Sequence, residues 1–300
     1  MLPSTLAAKV KPAAPRRPEI MLLANYAQEI RRLSIASIYR AGSGHPGGSL
    51  SCSDILACLY GAELYIPRDN PETDNRDRFI LSKGHAAPAL YAAWAAAGLL
   101  PVDVALSLRK LGSRAQGHPH VVETPLAETS TGSLGQGFSV AMGMALALQH
   151  MRRPVRVYAM LGDGECQEGE VWEAAMSAAH FGLSNLCAIV DYNKLQSDDR
   201  NATIMGIEPL NAKFRAFGWA VHEVDGHDLT QILSALSVAR QEQGRPCLVI
   251  AHTVKGKGVP YMEDQPAWHG SVKLTREQAA SALEALQTGA NLITELLDGK

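Results

Sequence analysis

Residues 160–196 read MLGDGECQEGEVWEAAMSAAHFGLSNLCAIVDYNKLQ, and the parsing of this stretch decides the fold. Residues 155–161, which run into it, are largely apolar and predict a buried parallel strand. Gly162-Asp163-Gly164 comes next. The two glycines allow a sharp turn and close approach of a ligand, and the carboxylate between them can hold a hard cation. Residues 169–181 predict a helix, ended by Gly182. Residues 186–190 predict a second strand, with Asn193 just past it. A β-α-β crossover brings the ends of two parallel strands to the same edge of a sheet, so Asp163 and Asn193 can meet there around one ion. One carboxylate and one amide make a poor site alone. Mg²⁺ demands an octahedral oxygen shell and commonly takes part of it from a diphosphate. The pattern therefore points to a metal carrying a diphosphate. The plain alternative is a GDG turn and an Asx turn without chemical role.

The composition sets bounds around this reading. Three hundred residues allow one large domain or two small ones, and 46% apolar with 19% charged residues suits a buried core. A formal charge of −2 gives no broad basic surface for nucleic acid. No apolar run reaches the length of a membrane span. Cys52, Cys58, Cys166, Cys187 and Cys247 lack CxxC spacing and fit reduced thiols of a cytoplasmic protein. Cys166 lies in the GDG stretch but has no adjacent basic partner to make it a nucleophile. Residues 1–20 carry Pro, Ala and basic residues without an apolar h-region, so they predict a flexible leader rather than a secretory signal.

Along the chain, apolar spacing predicts a helix over 20–39. A glycine-rich loop, 43–49, holds His45, and Ser53 or Asp54 caps a helix over 55–64. A strand over 78–82 runs into Lys83-Gly84-His85. Helices are predicted over 89–97, 102–108, 138–150, 213–217 and 229–243, with strands over 220–224 and 247–252. One long helix is predicted over 274–297. Alternating strands and helices predict an α/β fold, a parallel sheet covered by helices on both faces in three layers. The expected organisation is a leader to residue 20, one binding domain over 21–272 and a helical tail over 273–300.

Four of the ten histidines stand beside glycine in loops or at strand ends: His45, His85, His118 and His269. Strand carboxyl ends form one rim in a parallel sheet, and imidazoles grouped there would suit a polyol. A four-histidine zinc site is the competing reading, but the spacings are not those of zinc motifs. His150 and His180 fall at helix C-terminal ends, while His120, His222, His227 and His252 read as structural.

GHPGGSL, SKGH, QGHP, TGSLGQG, GDGECQEG, DYNK and WHG occur in this order, and together they resemble the transketolases, thiamine diphosphate enzymes, over most of the chain. The resemblance implies a thiamine diphosphate-binding (PP-type) domain. Asp163, Asn193 and the carbonyl of Leu195 would hold the metal, Mg²⁺ or alternatively Ca²⁺ or Mn²⁺. His45 and His118 would touch sugar hydroxyls as catalytic residues. His85 would lie near the diphosphate, and His269, counted both as catalytic and as cofactor-binding, would bridge diphosphate and substrate. Gly132, Ser133, Leu134, Gly164 and Glu165 would border the cofactor. Glu168, counted with the catalytic set, and Glu173 match an acidic pair near a subunit interface. Lys255 would lie near a phosphate or, read plainly, in an exposed turn. Ser133 stands where the family often carries Pro, and Asp199 where it commonly carries Gly.

Transketolases are far longer and carry a second, pyrimidine-binding domain. The expectation is thus the N-terminal half of a split enzyme, inactive alone, joined by a C-terminal subunit in an α2β2 assembly. The implied reaction transfers a two-carbon ketol unit from a ketose phosphate to an aldose phosphate. The alternatives are a deoxyxylulose-phosphate-synthase-like or 2-oxoacid dehydrogenase α-type chain, or else a cofactor-binding module without catalysis.

Overall fold

The computed structural model describes residues 17–67 and 69–299. The expected leader lies outside the described residues as far as residue 16. Helix α1 (Arg17–Ala41) presents Leu23, Ala27, Ile30 and Ile38 to the interior at helical spacing, and Gly42, with φ 69°, ends it. It is followed by α2 (Pro46–Ser51), α3 (Ser53–Cys58), β1 (Arg78–Leu81), α4 (Ala87–Ala96), α5 (Val102–Leu106) and α6 (Gln136–His150). The central unit is β2 (Val157–Gly162), α7 (Gly169–His180) and β3 (Leu186–Tyr192). Then come α8 (Asn201–Ile204), α9 (Leu210–Ala216), β4 (Ala220–Asp225), α10 (Leu229–Gln241), β5 (Cys247–His252), α11 (Arg276–Ala285) and α12 (Ala290–Asp298).

The five strands form one parallel sheet in the order β1-β2-β3-β5-β4. Successive side chains on a strand point to opposite faces, and both faces of the inner strands β2, β3 and β5 are apolar, while the edge strand β4 exposes Glu223. Tyr158, Met160, Cys187, Ile189 and Val249 join a core with α1, α3, α4, α10, α11 and α12. Val157, Ala159, Leu161, Ala188, Val190 and Ile250 join a second core with α6, α7 and α9. This is why the strands read as continuous apolar runs, and it makes the three-layer α/β/α sandwich. Among the described residues no helix is long and apolar enough to cross a membrane.

Four local expectations are corrected. Part of the loop expected over 43–49 is helical: Pro46, with φ pre-set, opens α2. Asp54 caps nothing; it is buried and binds Arg31 at 2.5 Å and His227 at 2.7 Å. The helix expected over 55–64 starts at Ser53 and becomes a π-helix over Leu59–Glu63. The single helix expected over 274–297 is two, because Gln287 takes a φ of 54° that an α-helix cannot hold. A Thr275–Gln278 capping box sets the start of α11.

Candidate active site

The site lies at the carboxyl ends of β1, β2, β3 and β5. Register pairs Gly162 with Asp191, so the chain leaves β2 and β3 side by side. Asp163, 2% exposed, accepts from the Gly164 amide at 2.9 Å and from the Lys194 amide, which ties the two strand-end turns together. Asn193 is buried next to it; its Oδ1 accepts from the Leu195 amide at 3.2 Å and its Nδ2 donates to Asp191 Oδ2 at 3.3 Å. The Leu195 carbonyl accepts from Lys255 Nζ at 2.6 Å. Burial, and next the charge of Asp191, raise the Asp163 carboxyl to about 6.

Asp163, Asn193 and Leu195 line one cavity of roughly 380 Å³ together with His45, His85, His118 and His269. Ring centroids are 6.3 Å apart for His118–His45, 5.5 Å for His45–His85 and 5.4 Å for His85–His269, so the four imidazoles form a chain. Among the described residues no three His, Cys, Asp or Glu side chains converge as metal ligands do. Burial, then Arg109, lowers His45 to about 4; burial, then Lys255, lowers His269 to about 3. Burial likewise lowers His85 and His118. The imidazoles are therefore neutral near pH 7, each with one donor and one acceptor nitrogen. Among the described residues His45 Nδ1 is buried without a partner. Lys255 Nζ donates to His269 Nδ1 at 2.5 Å, which leaves the His269 proton on Nε2.

The surrounding loops are held by close backbone approach. At Gly84 a Cβ would come within 2.7 Å of Thr131 Oγ1 and 2.8 Å of the Gly132 amide nitrogen. Gly132, at φ 147°, faces the His118 ring, and Leu134 lines the cavity while Ser133 is exposed. Gly164 lines the cavity at the turn after Asp163. Glu165 also lines it, but its carboxylate accepts from Ser82, from the Gly135 amide at 2.8 Å and from the Gly162 amide at 3.0 Å. It knits three segments together. Glu168 is exposed at the cavity rim; Glu173 is exposed on α7, away from the lining. Cys166 is buried, and burial pushes its thiol well up, which suits packing.

Some site residues had no reading from the sequence. Lys83, 1% exposed, donates to the Gly48 carbonyl at 2.8 Å and to Asp191. Asp191 also accepts from Ser51 at 2.6 Å and from Thr253. Burial, the largest single influence, would raise the Asp191 carboxyl, but the Lys83 charge together with the hydrogen bonds from Lys83, Ser51 and Thr253 outweighs it and the net direction is down. The available signal was a charged residue closing each of two otherwise apolar strands. Lys255 is not in an exposed turn: it is 1% exposed, and burial lowers its ammonium to about 8. His227, a structural residue by expectation, accepts from the Val254 amide at 2.8 Å and bonds Asp54, bracing the Lys255 loop.

A cavity with buried lysines beside two carboxylates, an amide and a free carbonyl lone pair has the chemistry for a divalent cation carrying a diphosphate. Comparison with known proteins bears on the diphosphate. Residues 23–289 match the family described as "Transketolase, thiamine diphosphate binding domain". The chain is 44% identical over 265 residues to the 6-deoxy-6-sulfo-D-fructose transketolase subunit SqwG of Clostridium sp. (strain MSTE9), covering 88% of this chain and 96% of that protein. It is 37% identical over 270 residues to an apulose-4-phosphate transketolase subunit from Phocaeicola vulgatus, covering 90% and 95%. Against the human transketolase it is 40% identical over 257 residues, covering 85% of this chain but 41% of that protein. The transketolase structure from Leishmania mexicana superposes with a TM-score of 0.84 at 28% identity, covering 92% of this chain and 44% of that chain. The chain thus spans less than half of these longer transketolases and nearly the whole of the two subunits.

Proposed function

The chain belongs to the transketolase thiamine diphosphate-binding family, and from that premise we propose that it is the diphosphate-binding subunit of a split transketolase. With a partner subunit carrying the pyrimidine-binding domain, it would move a two-carbon ketol unit from a ketose phosphate to an aldose phosphate. The observation that carries this reading is that four neutral imidazoles share one cavity with the Asp163, Asn193 and Leu195 oxygens.

Thiamine diphosphate, when bound, supplies the electron sink that the protein lacks. Asp163, Asn193 and the Leu195 carbonyl would hold its metal, Mg²⁺ for preference, with Lys255 and His269 facing the phosphates. His45 and His118 would bind hydroxyls of the sugar through one donor and one acceptor each. When the C2–C3 bond of the donor breaks, the C3 hydroxyl loses its proton, and a neutral imidazole of this group can take it. His269 presents an Nε2 proton, because its Nδ1 accepts from Lys255. Glu165 would act from behind by holding the Gly135 and Gly162 turns, and Gly132, Ser133, Leu134 and Gly164 would border the cofactor. Glu168, at the rim, and Glu173 would face the subunit interface.

Residues 21–272 are proposed as the binding domain, whose cavity lining ends at Gly270, with 273–300 as a helical tail packed into the same core as α1. An α2β2 assembly in the cytoplasm is the proposed setting; the five free, buried cysteines suit a reducing compartment. The test is ketol transfer with thiamine diphosphate and Mg²⁺. Turnover is expected when the chain is joined by a pyrimidine-domain subunit, but not from the chain alone. Pyruvate decarboxylation by the pair in place of ketol transfer would overturn the proposal.

A further inference from the structure

Arg109 follows α5 in the left-handed backbone region, φ 58°, and its amide donates to the Ala115 carbonyl at 2.8 Å. Such a backbone is uncommon for a residue with a Cβ and is kept only where the surroundings demand it. From there Nη1 donates to Ser43 Oγ at 2.8 Å and to Ser271 Oγ at 2.9 Å. Ser43 stands two residues before His45, and Ser271 two residues after His269. The same two loops are paired by backbone hydrogen bonds between Gly44 and Val272 at 3.1 and 2.9 Å. On its other side the guanidinium lies against Gly117, where a Cβ would come within 2.8 Å of Nε. Gly117 immediately precedes His118. One side chain thus touches all three loops that carry His45, His118 and His269.

We propose that Arg109 is a positioning residue that holds these three loops in mutual register and so sets where the imidazoles meet the sugar hydroxyls. The proposal deepens the transketolase reading and rests on it for the sugar. Both bonds come from Nη1, one through each of its two hydrogens, so a single nitrogen ties the His45 loop to the His269 loop while the rest of the guanidinium lies against Gly117.

The first measurement uses the full chain alone. Arg109→Ala should shift the imidazole NMR signals of His45, His118 and His269 and leave His150 and His180, at the far ends of α6 and α7, in place. Unmoved signals from the three loop histidines overturn the proposal whatever the chain catalyses. The second uses the complex with the pyrimidine-domain subunit. Arg109→Ala should lower kcat/KM for the ketose about 100-fold and change Mg²⁺-dependent coenzyme affinity less than about threefold, since the loss is one of alignment. Added methylguanidinium should restore part of the rate, which a merely unfolded variant would not allow. The Ser43→Ala/Ser271→Ala double variant keeps the charge but removes both acceptors, and should lose about tenfold. Wild-type kcat/KM in that double variant overturns the proposal. If the wild-type complex transfers no ketol unit, the transketolase reading falls instead, and the histidine signals alone decide the role of Arg109.

Discussion

At the scale of single residues, the histidines show how surroundings select a protonation state. His45 and His269 have folded values of about 4 and about 3, below the ordinary 6.5 of an unfolded chain. Between 6.5 and those values the unfolded chain binds more protons, so stability falls as the pH drops through this window. The unfolding temperature should therefore decline from neutral pH toward about 4.5, and a His45→Gln/His269→Gln variant should show a shallower decline by circular dichroism. An equally steep decline would place the acid sensitivity elsewhere. Two substitutions separate the proposed roles. His118→Ala should lower kcat/KM of the complex about 100-fold or more while leaving coenzyme uptake in place. Asp163→Asn should abolish Mg²⁺-dependent coenzyme uptake, read by titration calorimetry on the complex. The legible residues were those in glycine loops. Arg109 and Lys83 were not legible, because their partners, Ser43 and Ser271 for one and Asp191 for the other, are remote in sequence.

At the scale of elements, the strand ends are bound to one another by a buried ion pair. Lys83 after β1 meets Asp191 in β3, which in turn engages Ser51 at the end of α2 and Thr253 after β5. Removing one member leaves an uncompensated buried charge. Asp191→Ala should cost about 3–5 kcal/mol in urea unfolding, and a Lys83→Met/Asp191→Leu pair should cost clearly less. A small loss in the single variant would mean that water reaches Lys83. The inner strands β2, β3 and β5 were readable because both their faces are apolar, and α1 because its apolar stripe keeps helical spacing. The short helix α2 and the split between α11 and α12 were not. The former hangs on one proline after a histidine, and the latter on a φ of 54° at Gln287 that no residue type announces.

At the scale of the molecule, α11 and α12 are part of the structure's core. Leu283, Leu286, Ile293 and Leu297 are buried in the same apolar cluster as α1, and Arg32 and Arg40 donate to the Leu286 and Leu296 carbonyls at 3.1 and 2.7 Å. A chain ending at residue 272 should therefore lose stability and expose the inner face of α1, seen as a lower unfolding midpoint with raised dye binding. Unchanged unfolding would show that the tail only rests there. Read alone, the amino-acid order determined the alternation of strands and helices, the parallel sheet, and the glycine loops that carry His45, His85, His118, Asp163 and His269. These are local properties, set by period, chain reversal and side-chain size within a few residues. Only the tertiary structure decided that four imidazoles from four separate segments lie within 5.4–6.3 Å of one another in a chain of ring pairs, that Lys83 and Lys255 are buried cations, and that Arg109 reaches both Ser43 and Ser271. The physical reason is that burial and charge pairing depend on neighbours the chain brings together across scores of residues, and no local pattern encodes them.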